Sequence, residues 1–159
     1  MKLLFILFVV LTLLSSCSSN KIDTASTLTS QDIKLLHSLN VLDNDEIPIK
    51  FYSEYRKNVA GNFYTDKRLA SYWLDKHDTT KDKVEFAFYK DIIKIDTVSN
   101  AGATFCPYLL VTKKDSSSFK VCVDGKQNEV SKFFNEAINL WKQSEKLTTF
   151  WDNNQIKNC

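Results

Sequence analysis

The run IPIKFYSEYRKNVAGNFYTDKRLASYWLDKH, residues 47–77, governs how the N-terminal half of this chain is read. Just before it, Asp45 and Glu46 supply an N-cap candidate and acids ahead of Pro48, a residue suited to a first helical turn. Phe51, Tyr52, Tyr55 and Val59 then fall at helical spacing until Gly61 interrupts them, which predicts a helix. Thr65 can cap another, with Leu69, Tyr72, Trp73 and Lys76 on one face and His77 closing the last turn beside its carbonyls. His77 is read there as a dipole partner, not as a catalyst.

Toward the N-terminus, Thr29-Ser30-Gln31-Asp32 offers a capping-box-like start, and Ile33, Leu35, Leu36 and Leu39 supply an apolar stripe, so a first helix precedes these two. Toward the C-terminus the period changes to two. Val84, Phe86 and Phe88 alternate with Glu85 and Ala87, and Ile93, Ile95 and Thr97 with Lys94 and Asp96, which argues for strands with a bend or bulge near Lys90-Asp91. The first of these could instead be a short helix capped by Asp82. Residues 104–112 and 119–123 form a hairpin closed around Lys114-Asp115-Ser116, and Asp124-Gly125 ends the sheet. Val130, Phe133, Phe134, Ala137, Ile138 and Trp141 then recur at i, i+3, i+4 and predict an amphipathic C-terminal helix. A tail from residue 147 to Cys159 carries Phe150 and Trp151. The expected fold is α+β: three N-terminal helices, an antiparallel meander of three to four strands and the C-terminal helix packed on it.

Composition narrows the function. The chain has 159 residues, one domain's worth, and 21 Lys+Arg against 19 Asp+Glu give +2 with no basic block, so no nucleic-acid partner is expected. With 43% hydrophobic residues and only 3 Gly and 2 Pro, the chain is neither disordered nor linker-dominated. Twelve of the apolar residues lie in the first sixteen, where Lys2, a hydrophobic run at 3–14 and Ser15-Ser16 have the architecture of a secretory signal. Twelve residues cover about 18 Å of a hydrocarbon core near 30 Å, too little for a permanent span.

Leu14-Ser15-Ser16-Cys17 resembles the lipobox of bacterial lipoproteins, in which the Cys is acylated and becomes the first residue of the mature chain. The resemblance implies lipidation at Cys17 and a membrane partner held through acyl chains. Ser18, rather than Asp, after that Cys implies the outer membrane over the inner, with the domain in the periplasm. The resulting division is 1–16 signal peptide, 17–29 lipidated Cys and flexible polar tether, and 30–159 a single α+β domain.

Three cysteines remain in a compartment where disulfides persist. If the hairpin centres on Lys114, Leu109 faces Phe119 and Cys106 stands directly opposite Cys122, making that pair the disulfide candidates. Cys159 could compete for either. No GxSxG, HExxH or Gly-rich phosphate loop is present, and no catalytic residue is assigned. Cys106, Cys122 and a His do not complete a zinc site, and no metal or cofactor is expected. Asp43, Asp45 and Glu46 read as a solvated helix-start cluster, and Lys113-Lys114-Asp115 as a solvated hairpin tip. Aromatic residues make up 13% of the chain, enough to anchor contacts as well as a core, and Trp151 in its polar surroundings is the candidate contact residue. Phe51, Tyr52 and Tyr55, followed by a further helix and a curved sheet, resemble the helix-then-sheet order of NTF2-like domains, although the long final helix departs from it and no function is carried across. The reading favoured is a non-enzymatic envelope lipoprotein that binds another envelope protein or an incoming one, as an accessory or an inhibitor or immunity-type module would. The alternative is a small-molecule carrier or sensor with an aromatic-lined cavity.

Overall fold

Phe51 and Tyr52 are adjacent in sequence and both fully buried, as are Phe63 and Tyr64, and Leu69 and Ala70. Neighbours in a strand point to opposite faces, so such doublets belong to a sheet covered on both sides. That is the structure of residues 50–73 in the computed structural model, which describes residues 22–99 and 106–156, with side chains as far as 147.

β1 (Asp23–Thr24), β2 (Lys50–Tyr52), β3 (Ala60–Tyr64), β4 (Arg68–Trp73) and β5 (Lys83–Phe88) form an antiparallel five-stranded sheet in chain order. β6 (Ile92–Val98), β7 (Tyr108–Lys113) and β8 (Ser118–Cys122) form a second antiparallel sheet. α1 (Ser30–Ser38) lies between β1 and β2, and α2 (Gln127–Ile156) follows β8. The α+β expectation of three N-terminal helices and one short meander is overturned. Among the described residues one N-terminal α-helix, set between β1 and β2, stands where three were expected, the segments read as helices two and three are β2, β3 and β4, and the architecture is mostly β.

The reason is physical. A strand buried on both faces carries an unbroken apolar run, which periodicity alone does not separate from a helix face. Thr65, read as a helix cap, accepts hydrogen bonds at Oγ1 from the Lys67 and Arg68 amides and so closes the β3–β4 turn. His77 is exposed in the β4–β5 loop, where its amide donates to Asp75 Oδ1 at 2.8 Å, and no helix ends there.

The two faces of the five-stranded sheet feed two cores. Tyr52, Tyr64, Leu69 and Ala87 point inward to Leu109, Val111, Phe119 and Val121 of the second sheet and to Val130, Phe133, Phe134 and Ala137 of α2. Tyr64 meets Phe133 edge to face with ring centroids 4.8 Å apart. On the outer face, Phe51, Phe63, Ala70 and Tyr72 pack under Leu36 of α1 and the following Val41 and Leu42. α1 starts with the capping box of Thr29 and Asp32, and Asn40, at φ 56°, turns the chain back across the sheet after it. Residues 22–29 fall within the stretch read as tether. Here Ile22 packs on the core, β1 pairs with the edge of β2, and a 3-10 turn spans Ala25–Thr27.

In the hairpin Leu109 faces Val121 and Tyr108 faces Cys122, a register two residues from the expected one, because the turn centres on Asp115. Asp115 Oδ1 accepts from the Ser117 amide at 2.9 Å and its hydroxyl at 2.6 Å, and Ser116 takes the left-handed position at φ 68°. These contacts fix the turn one residue later than Lys114. Cys106 lies before β7 instead of opposite Cys122, yet the two are disulfide-bonded with Cα atoms 5.9 Å apart.

Candidate functional site

After Leu42 the chain makes a tight turn over the end of the sheet where β3 passes into β4. The Asp43 amide donates to Glu46 Oε2 at 3.0 Å, and the Glu46 amide returns a bond to the Asp43 carbonyl at 3.0 Å. This turn delivers the Glu46 carboxylate beneath the surface, where its side chain is 0% exposed.

Its partner comes from the outer face of β4. Arg68 stands directly opposite Phe88 of β5, and its guanidinium carbon lies 4.1 Å from the Phe88 ring centroid and 4.9 Å from that of Phe86. Those rings hold the planar group in place, a cation–π contact that an ammonium would fill less well. Nε donates to Glu46 Oε1 at 3.0 Å, and Nη2 sits 2.5 Å from both Glu46 Oε2 and Asp43 Oδ2. Thr65 Oγ1 donates to Glu46 Oε1 at 2.7 Å, and the Tyr89 hydroxyl donates to the Thr65 carbonyl at 2.9 Å. Burial, reinforced by the charges of Asp66 and Glu46, pushes the Tyr89 phenol well above the usual range, so it stays a donor. At the rim Lys67 Nζ binds Asp45 Oδ2 at 2.7 Å and holds that carboxyl below its ordinary value. Asp43, Asp45 and Glu46 therefore start no helix. They clamp a loop to β4.

The clamped loop turns two large apolar side chains outward. Ile47 is 64% exposed and Ile49 is 40% exposed, while Pro48 between them is buried and the Ile49 amide donates to the Tyr64 carbonyl at 2.8 Å. Lys50, next along, pairs with Glu136 of α2 at 3.1 Å, and Tyr64 gives the same carboxylate a 2.5 Å hydrogen bond. Scattered exposed isoleucines are ordinary. Two on a backbone tied to a buried ion pair form a preorganised apolar knuckle, which a partner can cover without first ordering it.

The other candidates lie elsewhere. Cys17 and Cys159 are outside the described residues, as is the side chain of Trp151, whose backbone continues α2. His37 Nδ1 contacts the Leu42 carbonyl at 2.9 Å, a structural role at the end of α1. Among the described residues no three His, Cys, Asp or Glu side chains are grouped to hold a metal ion. A cleft of about 410 Å³ lies between the ends of β6 and α2, lined by Thr97, Ser99, Gln127, Ser131 and Asn135, with Phe134 its aromatic wall. Pro107 and Val130 complete a lining of mixed polar and apolar character, in which Phe134 is the one aromatic side chain. Glu46 is read from sequence only as part of a solvated helix-start cluster and Arg68 is not singled out, because an ion pair 22 residues apart is invisible until the strands are assigned. The usable signal was that the chain has two arginines, Arg56 and Arg68, and that Arg68 occupies an alternating position with Ala70 and Tyr72.

No family model matches the chain, and no curated protein matches it. Among solved structures it is similar to that of a DUF1696 family protein with a pleckstrin-homology domain from Shewanella loihica PV-4, at 14% identity and a TM-score of 0.46 over 75% of this chain and 97% of the other.

Proposed function

We propose that this chain is a lipid-anchored envelope lipoprotein whose domain works by binding another protein, resident in the envelope or incoming, and catalyses no reaction. The observation that carries the binding role is the Ile47–Ile49 knuckle, held out on a loop that the buried Arg68–Glu46 pair pins in place. Between them the two isoleucines expose about one whole side chain, which is worth ~1.5–3 kcal/mol when covered. Truncating both to Ala should therefore weaken binding about 10- to 100-fold while leaving the fold intact, because neither side chain belongs to a core.

The anchor rests on the lipobox-like Leu14-Ser15-Ser16-Cys17. The test is a pull-down from detergent-solubilised envelope, comparing wild type with Ile47→Ala/Ile49→Ala and reading the bound proteins by mass spectrometry. A partner retained by wild type and lost from the double variant supports the proposal. An identical partner profile for both removes the knuckle from it.

A further inference from the structure

β1 runs antiparallel to β2, with Asp23 opposite Phe51 and Thr24 opposite Lys50. The chain ahead of Asp23 therefore leaves the sheet at the Tyr52 end, beside the β2–β3 loop, and Asp23 is tied to that loop by a 2.9 Å ion pair with Lys57. This is the end of β2 away from Ile47 and Ile49.

The same end carries a second group of exposed aromatic and basic side chains. Tyr55 is 66% exposed in the β2–β3 loop, with the Arg56 guanidinium 5.4 Å and Lys76 Nζ 5.3 Å from its ring centroid. Trp73, 45% exposed, closes β4 opposite Ala60 and Lys83, and the following Leu74 amide donates to the Val59 carbonyl at 2.7 Å. The neighbouring acids are largely engaged within their own loop. Asp75 Oδ1 accepts from the amides of His77 and Asp78, Asp82 Oδ1 accepts from the Asp75 amide, and Asp78 binds Thr80 and Lys81. Glu54 is the exposed carboxylate of the β2–β3 loop, set against Arg56, Lys76 and Lys83.

We infer, resting on the reading that Cys17 is acylated, that this Tyr55–Arg56–Trp73–Lys76 end docks on the lipid surface, with its cations on anionic headgroups. Tether length makes the case. Only Ser18, Ser19, Asn20 and Lys21 separate Cys17 from the core-packed Ile22, and five residue steps span at most about 18 Å. A domain of this size is roughly 35 Å across, so a Cys17 held at the membrane keeps the exit end near the headgroups. Tyr and Trp suit that boundary because one part of each ring system is apolar and the other polar, and Lys and Arg are drawn to anionic lipid. The Ile47–Ile49 knuckle then points away from the bilayer.

The experiment uses the full acylated protein, with Trp141→Phe and Trp151→Phe so that Trp73 is the sole tryptophan, excited selectively over the tyrosines. It is reconstituted in phosphatidylethanolamine–phosphatidylglycerol vesicles with or without brominated acyl chains. Near-ultraviolet circular dichroism checks that each variant is folded. The proposal predicts that brominated lipid quenches Trp73, and that Arg56→Glu/Lys76→Glu still floats with the vesicles but loses the quenching. In the unacylated Cys17→Ser protein the same double reversal should lower vesicle binding by about 25-fold or more, near fivefold per charge removed. An acylated protein that floats with Trp73 unquenched overturns the docking alone. A protein that takes up no labelled fatty acid overturns the anchor reading and the docking with it.

Discussion

Replacing Arg68 by Met removes the cation from a site where Arg68 is 1% and Glu46 0% exposed, while filling much of the same volume over Phe88 and Phe86. Glu46 then keeps its Thr65 hydrogen bond but has no counter-charge, and stranding one member of a buried pair costs about 3–5 kcal/mol. Against a usual total of ~5–15 kcal/mol that is a large loss. Glu46→Gln should cost less, about 1–3 kcal/mol, because Thr65 can still donate to the amide oxygen and Arg68 keeps the half-exposed Asp43. Arg68→Met/Glu46→Leu should recover most of the loss, since an apolar pair of similar volume often replaces a buried ion pair at little cost. Urea unfolding with unchanged m gives the three values, and hydrogen exchange at residues 46–49 reports whether the loop has come loose. A loss below ~1 kcal/mol for Arg68→Met, or a double variant no more stable than Arg68→Met alone, refutes the clamp.

Gly61→Ala would place a Cβ 2.5 Å from Phe51 Cζ and from Tyr72 Cε1, so it should cost ~1–3 kcal/mol in thermal unfolding; an unchanged melt would mean that the rings can separate freely. Burial pushes the Asp32 and Glu136 carboxyls up, but the bonds from Thr29 and Lys57 to the first, and from Tyr64 and Lys50 to the second, outweigh it and hold both below their ordinary values of 3.8 and 4.5. Their contribution is therefore complete at neutral pH and is lost as pH falls through those lowered values, so the urea midpoint should drop as the pH is taken below the ordinary carboxyl values, and drop less in Glu136→Gln. Non-reducing peptide mapping should recover Cys106 linked to Cys122, and Cys106→Ala/Cys122→Ala should cost about 3 kcal/mol for a loop of 16 residues; a dominant Cys159 link would contradict the pairing.

The legible parts of this fold are those with one buried face. Val130, Phe133, Phe134 and Ala137 lie on the core side of α2, and the capping box at Thr29 starts α1, because a half-buried helix writes its stripe into the sequence. Alternation at Leu109, Val111, Phe119 and Val121 likewise marks the second sheet, although the Asx-type turn at Asp115 moved its register by two. β2 to β4 were illegible because α1 covers their outer face, so Phe51-Tyr52 and Phe63-Tyr64 show neither period. β1 was hidden for the opposite reason. Its two residues are held by the edge of β2 and an ion pair, which leave no hydrophobic pattern at all. The knuckle is hidden as well, since Asp45 and Glu46 ahead of Pro48 read as a helix start, whereas Glu46 instead pairs with Arg68 of β4.

In the proposed arrangement the domain is held to lipid by one end and meets its partner with the other. Photo-crosslinking residues placed at position 47 and, separately, at position 73 of the full-length protein in intact envelopes test both ends at once. Position 47 should give a protein adduct that is lost in Ile49→Asp, and position 73 should label phospholipid. Protein adducts at position 73 with none at position 47 would contradict it.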